Sequence, residues 1–158
     1  MPKIIIIMGS KADLKHGKII KDVLENFGVE HQLRVASAHK TPLKVLKIIE
    51  EFEKDDVVYI TIAGRSNALS GFVDANTTKP VIACPPYSEK FSGVDIFSSL
   101  RMPSGVCPMT ILEPESAALA AIKILALTDK KLESKINSYH QDKKKEIEHS
   151  DKEVTTNG

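Results

Sequence analysis

Short apolar runs that alternate with stretches of helical spacing most constrain what this chain can become. The first, IIIIM at 4–8, is unbroken and largely β-branched. That is the signature of a strand buried on both faces, not of one with a wet side. VVYITIAG (57–64), PVIACP (80–85) and VCPMTILE (106–113) repeat it, while VEHQLRV (29–35) alternates and predicts a strand nearer an edge. Between them the period changes. Ile19, Ile20, Val23, Leu24 and Phe27 recur at helical spacing, with Gly28 placed as a C-terminal cap. Thr41 and Pro42 read as the N-cap and first residue of a helix striped by Leu43, Leu46, Ile49 and Phe52. ALSGFVDAN predicts a short helix or helical loop, VDIFSSLR another helix, and SAALAAIKILAL (116–127) a strong one.

With 158 residues the chain is long enough for one domain with a real core. Strands separated by helices predict an α/β fold with right-handed crossovers. The expected architecture is a three-layer, flavodoxin-like, doubly wound parallel sheet of about five strands. This catalytic domain is assigned to 1–128, a charged C-terminal helical extension to 129–150, and a frayed tail to 151–158. The extension carries only a thin stripe of Leu132, Ile136, Tyr139 and Ile147. It either docks on a neighbouring subunit or stands solvated. Formal net charge is +1, so nothing global draws the chain to nucleic acid or to an anionic membrane. The apolar run at 4–8 is too short to be a signal core or a membrane span. Cys84 and Cys107 lie in separate apolar runs without a metal-ligand spacing, and they fit a reducing cytoplasm. No metal site is expected.

In parallel α/β sheets ligands bind outside the carboxyl ends of the strands. Here those ends read GSKAD, SAHKTP, AGRSN and CPPYS. Gly9 and Ser10 sit at a helix mouth, where backbone N–H groups favour an anion; Ser10 or Asp13 equally suits a cap. Ser37 and Ala38 precede His39 and Lys40. An adjacent ammonium disfavours an imidazolium, so His39 reads as a neutral ring able to take a proton. Lys40 suits a phosphate or carboxylate. Taken alone, that segment also fits an ordinary surface loop. Gly64 permits close backbone approach, Arg65 either braces the loops or binds an anion, and Ser66, Asn67 and Ala68 follow. A phosphoacceptor domain would need acidic residues where Gly9, Ser10 and Arg65 stand, and the Gly-rich dinucleotide fingerprint is absent.

With SAHKTP, AGRSNALSG, CPP, SSLRMPSG and LEPESAALAAIKIL in register from residue 8 to 125, the chain resembles the family of aminoimidazole ribonucleotide carboxylases and N5-carboxyaminoimidazole ribonucleotide mutases. The mutase branch usually carries SAHRTP and an AGGAAHLPG-like loop. AGRSN and SAHK resemble the carboxylase branch instead. The resemblance implies addition of carbon dioxide to 5-aminoimidazole ribonucleotide, reversibly and without ATP, biotin or metal, in purine synthesis. It implies His39 as general base, and Ser10, Asp13 and Lys40 at the ribose phosphate end. Gly64, Ser66 and Asn67 would line the carbon dioxide pocket, with the 88–93 loop and the 102–105 turn closing over substrate. It also implies a homo-oligomer, an octamer before a tetramer. One position departs: Ala12 stands where the family commonly has a second serine. The alternatives are the mutase and, from another class, a non-catalytic nucleotide-binding module, whose signature would be loss of His39.

Overall fold

The computed structural model describes residues 3–157; the first two residues and Gly158 lie outside the described part. β1 (Lys3–Met8), β2 (Glu30–Val35), β3 (Val57–Ile62), β4 (Val81–Ala83) and β5 (Met109–Thr110) form one parallel sheet in the order β2-β1-β3-β4-β5. The apolar runs occupy the centre: every residue of β3 is buried, as is every residue of β1 after Lys3. β2, which alternates in sequence, is an edge strand, with β5 at the other edge.

The two sheet faces carry different helices. Ile4, Ile6, Met8, Val58, Ile60, Ile62 and Cys84 face α1 (Leu14–Phe27) and α5 (Pro114–Leu125). Ile5, Ile7, Val57, Tyr59 and Val81 face α2 (Pro42–Glu51) and α3 (Ala68–Ala75). This is the three-layer flavodoxin-like arrangement, and its strand order reverses between β1 and β3. Loops leaving those two strands diverge to opposite faces and open a crevice at the carboxyl edge. α1 approaches the sheet closely there: a Cβ on Gly17 would lie 2.9 Å from Met8 Sδ. The helix ends at Gly28, whose φ of 68° lets Val29 N–H reach back to Leu24 O.

Two expectations need correction. The fifth strand is much shorter than 106–113. Pro108 has no N–H to give to a ladder, and the Cys107 N–H is spent on the Asp74 carboxylate at 2.7 Å, so pairing survives only around Met109–Thr110. Thr41 is the N-cap residue of α2 and Pro42 its first residue, as expected, while the Thr41 hydroxyl binds Ser37. The tail expected at 151–158 is helical through Asn157, because α6 runs unbroken over Lys130–Asn157. That span contains no Gly or Pro. Neighbouring turns are tied by pairs such as Lys143–Glu146 at 2.9 Å. Only the first part of α6 docks on the domain. Leu132 and Ile136 are buried, the Tyr139 ring meets Phe27 at 5.6 Å, and Lys135 Nζ donates to Phe27 O at 2.6 Å. α6 leaves Ile147 and Val154 exposed.

Candidate active site

A cavity of about 410 Å³ opens at the carboxyl edge of the sheet, between the loops that follow β1, β2, β3 and β4. Gly9, Ser10, Ala12 and Asp13 form one wall, and Ser37, Ala38, His39 and Lys40 a second. Gly64, Arg65 and Ser66 form a third. Asn67 and Ala68 do not reach it.

The β1 loop closes on itself. Ser10 Oγ accepts from Ala12 N–H and the Asp13 carboxylate accepts from Ser10 N–H, each at 3.2 Å. Gly9 N–H donates to Ile62 O, and Asp13 N–H to Ser10 O. The helix-mouth amides expected to bind an anion are thus largely committed within the protein, and Lys11–Asp13 is only a single 3-10 turn. The Lys40 side chain lines the same cavity from the β2 loop. Asp13 caps the turn through its carboxylate and also lines the cavity. Partial burial pushes its carboxyl above the usual value of 3.8, against the lowering effect of the Ser10 hydrogen bonds and of His16.

The β2 loop presents His39 and Lys40 on a braced turn. Ser37 Oγ accepts from Lys40 N–H at 3.1 Å, Thr41 Oγ1 accepts from Ser37 N–H at 2.9 Å, and Thr41 N–H donates to Ser37 O at 2.8 Å. Every bond in this clasp belongs to Ser37 or Thr41. Among the described residues nothing hydrogen-bonds the His39 ring or pairs with the Lys40 ammonium, so both remain available to a ligand.

In the β3 loop the bracing of Arg65 is done by its backbone. Its N–H donates to Asp95 Oδ2 at 2.7 Å, while its φ of 61° lies in the left-handed region, which costs a Cβ-bearing residue roughly 1–2 kcal/mol. The guanidinium has no ion-pair partner among the described residues. Asn67 is buried and spent on structure. Its Oδ1 accepts from Ser70 N–H at 3.2 Å as the cap of α3, and its Nδ2 donates to Ser99 Oγ at 2.9 Å. Behind the β1 loop, His16 Nε2 lies 3.3 Å from Cys84 Sγ. Burial lowers the His16 ring from its usual 6.5, and it pushes the Cys84 thiol up to about 12.

Pro86 and Tyr87 of the expected CPPYS loop line the cavity, and sequence reasoning missed Asp95 and Leu69, which join them in its wall. Asp95 comes from a 3-10 turn thirty residues beyond Arg65. No local spacing signals such a meeting. Of the two segments expected to close over substrate, the first contributes Ser88 to the cavity; the turn at 102–105 does not line it. Met102 packs instead beside Gly71, where a Cβ would come within 2.8 Å of its sulfur.

Comparison with known proteins decides the family. The sequence model described as AIR carboxylase matches residues 3–146. The chain belongs to the AIR carboxylase family. A phosphoribosylaminoimidazole carboxylase of Archaeoglobus fulgidus is 60% identical over 96% of this chain and 84% of its own length. The enzyme of that name from Treponema denticola is 47% identical over 97% of this chain and 98% of its own. The crystal structure of Treponema denticola PurE superposes with a TM-score of 0.94 at 47% identity, covering 97% of this chain and 98% of that one. In the mouse bifunctional phosphoribosylaminoimidazole carboxylase/succinocarboxamide synthetase, 43% identity covers 80% of this chain and 30% of the longer protein.

Proposed function

We propose that this protein carboxylates 5-aminoimidazole ribonucleotide directly with carbon dioxide, giving 4-carboxy-5-aminoimidazole ribonucleotide for purine (IMP) synthesis, reversibly and without ATP. The observation that carries the reading is the meeting of SAHK with Ala63, Gly64, Arg65 and Ser66 of AGRSN in one cavity at the strand-order switch. The names of the 60% and 47% identical relatives support the carboxylase over the mutase.

The chemistry suits these residues. The ring amino group makes the neighbouring ring carbon enamine-like. That carbon attacks carbon dioxide, a carbon–carbon bond forms, and one carbon–oxygen π pair becomes the new carboxylate charge. The ring carbon then carries both a proton and a carboxylate, and loss of the proton restores aromaticity. His39, exposed and unpartnered, takes that proton. Carbon dioxide offers few handles, so most of the acceleration comes from holding the two reactants together. The Gly64–Ser66 backbone and the Ser66 hydroxyl supply fixed dipoles to the developing carboxylate. Lys40 meets the phosphate, with Ser10 beside it, and Asp13 meets ribose hydroxyls, since a carboxylate would repel phosphate.

The reading carries with it a homo-octamer, a tetramer being the alternative; light scattering that returned a monomer at working concentration would overturn both. It also carries a cytoplasmic setting, which suits two free thiols.

A paired assay tests the reaction. One sample receives aminoimidazole ribonucleotide and dissolved carbon dioxide, the other freshly made N5-carboxyaminoimidazole ribonucleotide with free carbon dioxide trapped. Turnover in the first that depends on free carbon dioxide is expected. Turnover only in the second, insensitive to trapping, would make the protein a mutase and overturn the proposal.

A further inference from the structure

The loop after β3 holds only its end by itself, where Ala68 N–H donates to Ser66 O at 2.9 Å. Residues 63 to 66 lie beyond the last paired residue of β3, and Arg65 stands at a φ of 61° without being glycine. The side-chain hydrogen bonds that Arg65 and Asn67 make to the rest of the fold, apart from the α3 cap, go to one segment, residues 95 to 99. Asp95 Oδ2 accepts from Arg65 N–H at 2.7 Å, and Ser98 Oγ accepts from Asn67 N–H at 2.9 Å. Ser99 Oγ accepts from Asn67 Nδ2, also at 2.9 Å. The segment is itself anchored: the Ser98 hydroxyl donates to Asp95 O at 2.8 Å, and Thr110 Oγ1 of β5 donates to Ser99 O at 3.0 Å. Asp95 also leans on Gly64, where an added Cβ would lie 3.4 Å from its Oδ2. Of these three residues only Asp95 lines the cavity.

We propose that Asp95 is a positioning residue for carboxylation, acting through the Gly64–Arg65 backbone. This inference rests on the carboxylase reading. By accepting the Arg65 N–H it holds the left-handed turn that presents Gly64 and Ser66 to carbon dioxide and to the new carboxylate. It does so as an acceptor oxygen at a fixed point, and its charge is incidental. The phosphate end of the substrate is held by the β1 and β2 loops, which Asp95 does not touch. Its loss is therefore felt at the carbon dioxide end.

The discriminating pair is Asp95→Ala against Asp95→Asn, because asparagine keeps an acceptor oxygen of the same reach and loses the charge. Carbon dioxide is varied at saturating nucleotide, and then nucleotide at saturating carbon dioxide. For Asp95→Ala, kcat/KM for carbon dioxide should fall by about 100-fold, the scale of a misplaced reacting group. Its KM for carbon dioxide should rise and its KM for nucleotide stay near wild type. Asp95→Asn should recover to within about fivefold, since geometry and not charge is what the site requires. The inference is overturned if Asn fails as badly as Ala. It also falls if Ala matches wild type, or if Ala lowers kcat with both KM values unchanged, as a smaller folded fraction would.

Should wild type not carboxylate at all, the parent reading falls, and hydrogen exchange of peptides spanning 63–68 decides the clasp alone. Exchange faster in Asp95→Ala than in wild type, with Asp95→Asn protected, upholds it. Equal exchange in all three overturns it.

Discussion

His39 stands exposed in a turn whose hydrogen bonds are all made by Ser37 and Thr41, whereas His16 is wedged, partly buried, against the Cys84 thiol. Both rings lie beyond the carboxyl ends of strands. At His39 the structural work is delegated to neighbours, which leaves the ring's own nitrogens without a protein partner among the described residues. At His16 the ring does the structural work itself, filling the space between α1 and the end of β4, and burial holds it toward the neutral form. The difference teaches that availability, more than residue type, qualifies a histidine for proton transfer. A base needs a ring whose orientation is set by the backbone and whose lone pair is left for substrate.

The sharpest way to break this contrast is His39→Asn. The substitution is on the surface and should change stability by less than about 0.5 kcal/mol. It should lower kcat by about 10²–10⁴-fold, the range of general acid–base catalysis, with substrate binding retained. Calorimetric titration with nucleotide beside a turnover assay checks both. Near-normal turnover with substrate bound would remove His39 from the mechanism and leave the contrast empty.

Asp13 lies between the two regions, lining the cavity on one side and interacting electrostatically with His16 on the other. Its carboxyl is raised by burial, so the folded state binds the proton more tightly than the unfolded state. Asp13 therefore costs no stability in acid. The cost builds as pH climbs from 3.8 through the raised folded value and persists at neutral pH. Asp13→Asn keeps an acceptor for Ser10 N–H and removes the buried charge. Its melting temperature at neutral pH should equal or exceed that of wild type, while on the proposed ribose role kcat/KM should fall by about tenfold. A melting temperature clearly below wild type would mean that the charge serves the fold.

Much of this was legible in the residues, for physical reasons that also explain what was not. Central parallel strands are buried on both faces, so IIIIM and VVYITI announce themselves as unbroken runs, and the alternation of EHQLRV marks the edge. The strand-end loops were readable because a parallel sheet sends every carboxyl end to one side. Asn67 was expected at the pocket, and lies behind its wall, because an amide that caps a helix and one that meets a ligand look alike in sequence. Asp95 was invisible because its partner is a backbone N–H, which carries no residue-specific signal at all. β5 was overread because an apolar run says nothing of where its amides donate, and Pro108 with the Asp74–Cys107 bond takes that run out of the ladder.

The smallest effects belong to the buried side of the comparison. His16 has a folded value lowered below 6.5, so as pH falls below 6.5 the unfolded chain gains a proton that the folded chain resists. Wild type should lose stability over that interval until the lowered value is passed, and His16→Leu should lack that slope. The substitution should cost about 1 kcal/mol at neutral pH, a typical point-mutant value, with turnover less affected than stability. Urea midpoints on either side of 6.5 measure it, and parallel slopes in the two proteins would refute the assignment. The partner thiol gives the last test. Cys84 donates to Leu112 O at 3.6 Å and has its pKa pushed up to about 12, while Cys107 is exposed. A thiolate-specific reagent should therefore modify Cys107 in the native protein and reach Cys84 only on unfolding. Rapid native modification of Cys84 would mean that the His16–Cys84 contact opens readily, and the line drawn between a working and a structural histidine would then have to be redrawn.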